Sequence, residues 1–414
     1  MILETLLFIF VGIGIGVFSG ICPGMHVNTT IPLVLAISTF LGLDPYQSVV
    51  MIVAIGMTEM FVDYIPSVFI GAPDVDTAVA VLPAHRLLFE GHGYEAVKLA
   101  VIGGMGALLF SLVVIAFVTS FFNTLYELSR PYIHFVIIGV VAFMILSEKK
   151  LKKILSAALI IGLSGLLGIF TLNSGLVSGG EVLFPVLTGM FGLSGLIISL
   201  SESSKIPEQK EDTKLNISKK ELVKSIVLAS IAGILVGFLP AVGISEAAVM
   251  VQYLGGSNSA RGFLATASGI NVANDLFSLI SLYLVGNPRS GSSVAVQQIL
   301  GELTFFDVLF LIGTTLFASG IAAMLTLYLG KKIPKFLAKL NYRKLTLSII
   351  VFIIAMIFLL TGPFGLLIAF ASTSIGLLCA HLEIRRSHCM GVLLISTILF
   401  FTGLNATAVS FLRI

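Results

Sequence analysis

Apolar residues run along this chain in blocks, separated by short polar or Pro/Gly-containing breaks. The blocks fall at 6–21, 31–43, 48–70, 96–122, 133–146, 154–172 and 182–200. After a hydrophilic stretch they resume at 222–239, 244–254, 263–285, 294–300, 308–329, 345–360, 364–380 and 391–409. A helix needs ~20 apolar residues to cross the hydrocarbon core, so the longer blocks predict crossing helices. Several blocks are shorter than that, and the shortest, 31–43, 244–254 and 294–300, each flank a Pro/Gly break. They predict arms of re-entrant hairpins or half-helices, which hydrocarbon tolerates only where freed backbone groups meet protein, water or a ligand. The first block lacks a basic leader and reads as a retained helix rather than a cleaved signal.

Composition carries the pattern to a fold class. Hydrophobic residues make up 57% of 414 positions and charged residues 11%. That balance predicts an all-α polytopic membrane protein in contact with a lipid bilayer. Charge position then sets orientation. With the N-terminus outside and each broken segment returning to its starting side, all but Arg130, Arg289 and Arg413 of the 24 Lys and Arg residues fall inside. Both termini are then expected outside the cytoplasmic membrane. The mixed-charge segment 201–221 is expected to be a solvated cytoplasmic linker. The three cysteines, Cys22, Cys379 and Cys389, form no CxxC and are expected to be small packed residues. There is no HExxH, P-loop or metal-ligand cluster, and nothing supports nucleic-acid binding. No catalytic residue, bound metal or organic cofactor is expected.

An internal repeat is visible. Gly16, Gly20 and Pro23 of "GVFSGICPG" match Gly233, Gly237 and Pro240 of "GILVGFLPA" at an offset of 217. "GAPDVDTAVAV" at Gly71 matches "GNPRSGSSVAV" at Gly286 at an offset of 215. An odd number of crossings in the first half brings the second in from the opposite face. The expectation is therefore two inverted-topology repeats, 1–200 and 222–414, joined by the linker. Transporters with this plan hold substrate near the midplane, between broken helices.

The breaks supply the candidate substrate-binding residues. Pro23 and Gly24 precede Asn28, Thr29 and Thr30, and Pro240 precedes Gly243 and Ser245. Helix starts carry free N–H groups and partial positive charge, which suits carboxylate or phosphate. A proline kink with Ser/Thr capping makes the same local pattern; the duplication favours a site. Arg289, Ser290, Ser292 and Ser293, with Gly291 between, form a second set of donors. The apolar segments also hold Glu59, Asp63, Glu246, Asn271, Asn274 and Asp275. Each must face protein or water, since a charge at the bilayer centre costs about 2.5–3.5 kcal/mol on insertion scales. Asn271, Asn274 and Asp275 share a helical face, as do Glu59 and Asp63. Their oxygens suit a coupling Na⁺, and a desolvated carboxylate suits a proton; the sequence leaves the two open. His85-Arg86 reads as a positive anchor in a cytoplasmic loop or as part of an anion path. "GLSGL", at Gly162 and again at Gly192, superficially resembles a membrane serine protease motif around Ser164 and Ser194, but reads as small-residue helix packing.

"GICPGMHVNTTIPLVLA", "GAPDVDTAVAVLPAHRLLFEGHGYEAV", "NVANDL" and "LVGNPRSG" together resemble the large membrane subunit of tripartite tricarboxylate transporters, the TctA family. Asn274-Asp275 stands where the family has Asn-Asn, and Arg289 follows Pro288 where the family has Gly. The resemblance implies an inverted-repeat secondary transporter, organic-anion substrates, a small membrane subunit and an extracytoplasmic binding protein. The Pro-Gly loop is also similar to that of proteins returning polyprenyl phosphate across the bilayer. Two readings therefore stand at this stage. One is an ion-coupled permease for a di- or tricarboxylate; the alternative is a translocase of a lipid phosphate on the same scaffold. Oligomeric state, a homo-oligomer included, is left open.

Overall fold

The computed structural model describes residues 2–22, 27, 30–31, 34–35, 38, 41–71, 78–129, 132–148, 150–177, 182–201, 209–210, 214–238, 243–255, 259–286, 288, 290–337 and 342–412. Among these residues the structure is helical and contains no strand. The first half runs α1 (Ile2–Ile21), α2 (Pro45–Val62), α3 (Tyr64–Phe69), α4 (Val81–Phe89), α5 (Gly93–Ser129), α6 (Ile133–Leu146), α7 (Leu151–Asn173), α8 (Leu183–Leu187) and α9 (Ser194–Ser201). A π-helical turn, Thr188–Leu193, joins the last two. The second half runs α10 (Lys219–Phe238), α11 (Ile244–Tyr253), α12 (Ala260–Val285), α13 (Gly291–Leu300), α14 (Phe305–Leu337), α15 (Tyr342–His381), α16 (Gly391–Thr402) and α17 (Asn405–Leu412).

Seven helical spans among the described residues are long and apolar enough to cross a membrane. The chain is an integral membrane protein. The short blocks 244–254 and 294–300 are short helices, α11 and α13. Positions 27, 30, 31, 34, 35 and 38 of block 31–43 and its approach are helical too. The break between 345–360 and 364–380 is a kink at Gly362 (φ 67, ψ −165), before Pro363. Three local expectations change. Block 391–409 is not one straight helix: Gly403, left-handed at φ 72, ends α16, and α17 turns away by 115°. The stretch holding His85-Arg86 is a helix, α4, rather than a loop. The linker is also not wholly solvated. Leu215 and Ile217 pack against the core, and Gln209 Nε2 donates to Leu88 O at 3.0 Å while its Oε1 accepts from Gly93 N at 2.9 Å.

Two of the seven spans stand apart. Pro45–Phe69 and Ala260–Leu284 are entirely buried in protein, whereas the others bury between 28% and 44% of their apolar windows. α1 packs against α2, and α10 against α12. The matched glycines make both approaches close. A methyl on Gly16 would stand 2.7 Å from Ile55 O, and one on Gly233 would overlap Ala273 Cβ. Gly20 and Gly237 meet Val62 and Phe277 in the same way, one turn on. The second pair of matched glycines is also alike. Gly71 (φ 71) and Gly286 (φ 65) are both left-handed, a conformation that costs residues with a Cβ. The short helices that follow lie across the other half: α4 against α12, and α13 against α2.

Segments assigned to one side by charge meet at one end. Arg261 Nε and Nη2 donate to the two Glu95 oxygens at 3.0 Å each, and Asn216 N donates to Glu95 Oε1. Ser259 Oγ donates to Glu221 at 2.6 Å, and Lys153 Nζ to Glu383 O at 2.9 Å. At the start of α2 and α14, Tyr46 OH donates to Asp307 Oδ1 at 2.8 Å.

Replacing Gly16 or Gly233 by Ala is expected to lower stability by about 1–3 kcal/mol through overpacking. Gly14→Ala, with open space around its Cβ, is expected to be near neutral. Thermal unfolding of the three variants in detergent checks this.

Candidate functional site

The buried polar groups of the membrane region concentrate on the two enclosed helices. Glu59, Asp63, Asn271, Asn274 and Asp275 are all under 7% exposed. Such residues need protein partners, because hydrocarbon offers none. On α2, Glu59 Oε2 accepts from Ser19 Oγ of α1 at 2.5 Å. Asp63 caps the C-terminus of α2, its backbone N–H donating to Glu59 O at 2.9 Å.

Asp275 sits at the centre of a serine cluster built by the start of α13. Ser290 is the N-cap, and its side chain accepts from Ser293 N while Ser293 Oγ accepts from Ser290 N. This reciprocal capping satisfies two of the N–H groups a helix start leaves open. Ser292 Oγ donates to Asp275 Oδ1 at 2.6 Å, and Ser290 and Ser292 hydroxyls stand 3.0 Å apart. Ser278, one turn after Asp275 on α12, bonds Ser293 Oγ at 2.7 Å and accepts from Ser290 N at 2.7 Å. Gly56 of α2 closes the cluster: a Cβ there would lie 3.5 Å from Ser292 Cβ and 4.0 Å from Val27, on the arm expected from block 31–43 and its approach. Val27 and Ile31 of that arm form an apolar group with Ile52, Ile55 and Ala295. The arm, α2, α12 and α13 therefore converge here, two elements from each half.

Two carboxyl and amide oxygens on this face of α12 remain open. Asp275 Oδ2 and Asn271 Oδ1, one turn apart, are buried with no hydrogen-bond partner among the described residues. An orphaned buried acceptor costs about 1–3 kcal/mol, more when charged. Oxygen atoms so arranged suit a hard cation or a proton. Among the described residues no three His, Cys, Asp or Glu side chains group as a metal site.

The remaining candidates divide. Gly243 is the N-cap of α11, and Glu246, in its first turn, folds back against Gly243. Ser245 is buried beside it. Thr30 is buried in the first arm, and its Oγ1 has no partner among the described residues. Pro23, Gly24, Asn28, Thr29, Pro240 and Arg289 lie outside the described residues. Ser164 and Ser194 each donate to a carbonyl one turn back, Ile160 O and Met190 O. Small residues beside them admit other helices: a Cβ on Gly168 would overlap Val392 O.

With this geometry in place, the chain can be set against known proteins. The description "Tripartite tricarboxylate transporter TctA family" matches residues 6–391. The chain belongs to the TctA family. An uncharacterised protein, MJ1079, of Methanocaldococcus jannaschii is 30% identical to it over 410 residues, covering 96% of this chain and 99% of that one. No solved structure matches.

Several side chains of this TctA-family protein escape sequence reasoning. Ser19 lies inside an apolar block, and only the structure shows it beneath Glu59. Ser278 continues the face of Asn271 and Asp275, three residues on, a spacing the sequence does carry. His85 is a third. It packs on Gly71, where a Cβ would lie 2.7 Å from its Nε2, and that nitrogen is buried without a partner among the described residues. Burial pushes the imidazole down to about 4, and the Arg386 guanidinium acts in the same direction.

That shift has a signed consequence. Between pH 6.5 and about 4 the unfolded chain takes up a proton at His85 that the native chain refuses, so stability falls as pH falls through this window. The loss approaches about 3 kcal/mol at its lower end. His85→Gln is expected to remove that part of the slope, as read by thermal unfolding from pH 7.5 to 4.5.

Proposed function

We propose that this protein is an ion-coupled secondary transporter of a small organic anion, a di- or tricarboxylate, working as the large membrane component of a tripartite system. The observation that carries the reading is the Asp275 cluster. A carboxylate at 0% exposure sits at a meeting of both halves, with one oxygen held by Ser292 and the other without a partner among the described residues. A transporter needs a desolvated group whose charge the coupling ion neutralises. Asp275 Oδ2 and Asn271 Oδ1, with Asn274 beside them, serve Na⁺ or H⁺. Glu59, Asp63 and Glu246 line further buried positions for the same coupling.

Substrate binds between the interrupted helices: Pro23, Gly24, Asn28, Thr29 and Thr30 on one side, and Pro240, Gly243 and Ser245 on the other. Ser290, Ser292 and Ser293 at the start of α13, with Arg289 next to them in sequence, complete the set of donors. The two halves act as inverted repeats. Shared glycine contacts at Gly16 and Gly233, and shared left-handed turns at Gly71 and Gly286, support that reading. The loops gathered around Glu95 and Arg261 face the cytoplasm in this scheme, and both chain ends face outward. A small membrane subunit and an extracytoplasmic binding protein are the partners that the family's tripartite description suggests.

Citrate and succinate uptake by proteoliposomes under imposed Na⁺ or proton gradients tests this. Wild type is expected to accumulate one of these anions only with a gradient. Asp275→Asn is expected to lose gradient-driven accumulation by about 100-fold or more, a loss of roughly 3 kcal/mol of coupling. No uptake of any such anion, with flipping of a polyprenyl phosphate instead, would overturn the carboxylate reading in favour of a lipid-phosphate translocase.

A further inference from the structure

Away from the Asp275 cluster, at the end where Glu95 meets Arg261, a cavity of about 310 Å³ opens between the two halves. Its wall carries three guanidinium groups: Arg86 of α4, and Arg385 and Arg386 of the segment before α16. Gln252 of α11 and Ser387 add an amide and a hydroxyl, and the first residue of α12, Ala260, brings that helix start to the wall. No carboxylate lines the cavity among the described residues.

The charges here are only partly offset. Arg86 Nε pairs with Glu90 Oε1 at 3.2 Å, an i,i+4 pair on the surface with the arginine side chain 75% exposed. Such pairs are worth little and break readily. Arg385 leans on Tyr253, its guanidinium 5.7 Å from the ring centre and 3.4 Å from the hydroxyl. Arg386 donates to Ser194 Oγ at 3.2 Å, a neutral acceptor, and no ion pair holds it among the described residues. Three cations therefore share one concave wall, and among the described residues only Glu90 pairs with one of them directly, while Glu148 acts on Arg385 at longer range. Like charges so placed repel, and a bound anion would relieve that repulsion. Guanidinium donors match carboxylate and phosphate oxygens in pairs. The volume is at the small end of ligand cavities, roughly 300–1,000 Å³.

The geometry points to this cavity as an anion-binding site that takes a small multivalent oxyanion through its carboxylate or phosphate oxygens. It is a second site, distinct from the Asp275 cluster and reached from the C-terminal part of α11 rather than from Gly243 and Ser245 at its start. Its occupant comes either from solution or from the headgroup of an anionic lipid, which presents the same oxygens.

Thermal unfolding of the full-length protein in nanodiscs tests the inference, with citrate and inorganic phosphate as probes at ionic strength held constant with sodium chloride. In phosphatidylcholine discs, wild type is expected to show a saturable rise in unfolding temperature with citrate or phosphate. Arg86→Gln, at an exposed side chain whose loss leaves the fold intact, is expected to weaken the apparent affinity about tenfold or more. Arg386→Gln is expected to do the same where it folds. Repeating the titration with phosphatidylglycerol in the disc separates the sources. Loss of the citrate response there assigns the site to a lipid phosphate, and an unchanged response assigns it to a soluble anion. A wild type that responds to neither probe nor to phosphatidylglycerol, or an Arg86→Gln protein that responds as wild type does, overturns the inference. Binding is read with no gradient, so failure of the uptake assay leaves this result standing, and the reverse holds too.

Discussion

Everything polar in the membrane region depends on the complete enclosure of two helices. A carboxylate facing lipid would be neutralised or expelled, whereas one on a helix with no lipid face can be held by hydroxyl groups. Pro45–Phe69 and Ala260–Leu284 are such helices, and they carry Glu59, Asp63, Asn271, Asn274 and Asp275. Enclosure requires neighbours that come close, and close approach requires residues without bulk. Gly16 and Gly233 meet that need in the two halves. The sequence repeat is thus a packing requirement stated twice.

The Asp275 cluster shows how helix ends are turned to this purpose. A helix start inside protein exposes N–H groups that must be satisfied. At α13 the serines satisfy one another, and one of them then reaches Asp275. The same residues that end a backbone problem solve a side-chain one. At the opposite end of the problem, Glu95 gathers Arg261, Asn216 and His92 around a side chain only 3% exposed. That group joins both halves and the linker at a single carboxylate.

Much of this was legible in the residues alone. The longest blocks anticipated the long apolar helices and the shortest anticipated α11 and α13, and Gly362-Pro363 marked a kink. Block 182–200, read as one crossing, is instead broken by a π-helical turn. The face shared by Asn271 and Asp275 follows from helical spacing. What local pattern could not carry was contact across the chain. Ser19 under Glu59 and His85 on Gly71 join residues far enough apart that only packing brings them together. The linker misled for a similar reason. Its charges argued for solvation, while Leu215 and Ile217, two apolar residues among them, find the core. The bend at Gly403 was hidden because Leu404, Ala406, Ala408 and Val409 carry the apolar block past it, despite Asn405 and Thr407.

The contact between Tyr46 and Asp307 bears on how the molecule moves. It ties the first turn of α2 to the first turn of α14, and Asp307 is itself fixed by Thr304, whose N and Oγ1 donate to Oδ2 at 2.8 and 2.7 Å. Were one half to rock on the other, as the proposed transport cycle requires, either the phenol lets go or the halves swing about it like a door on its pin. In the second case displacement grows with distance from the pin, and the greatest travel falls to the parts of the protein farthest from Tyr46.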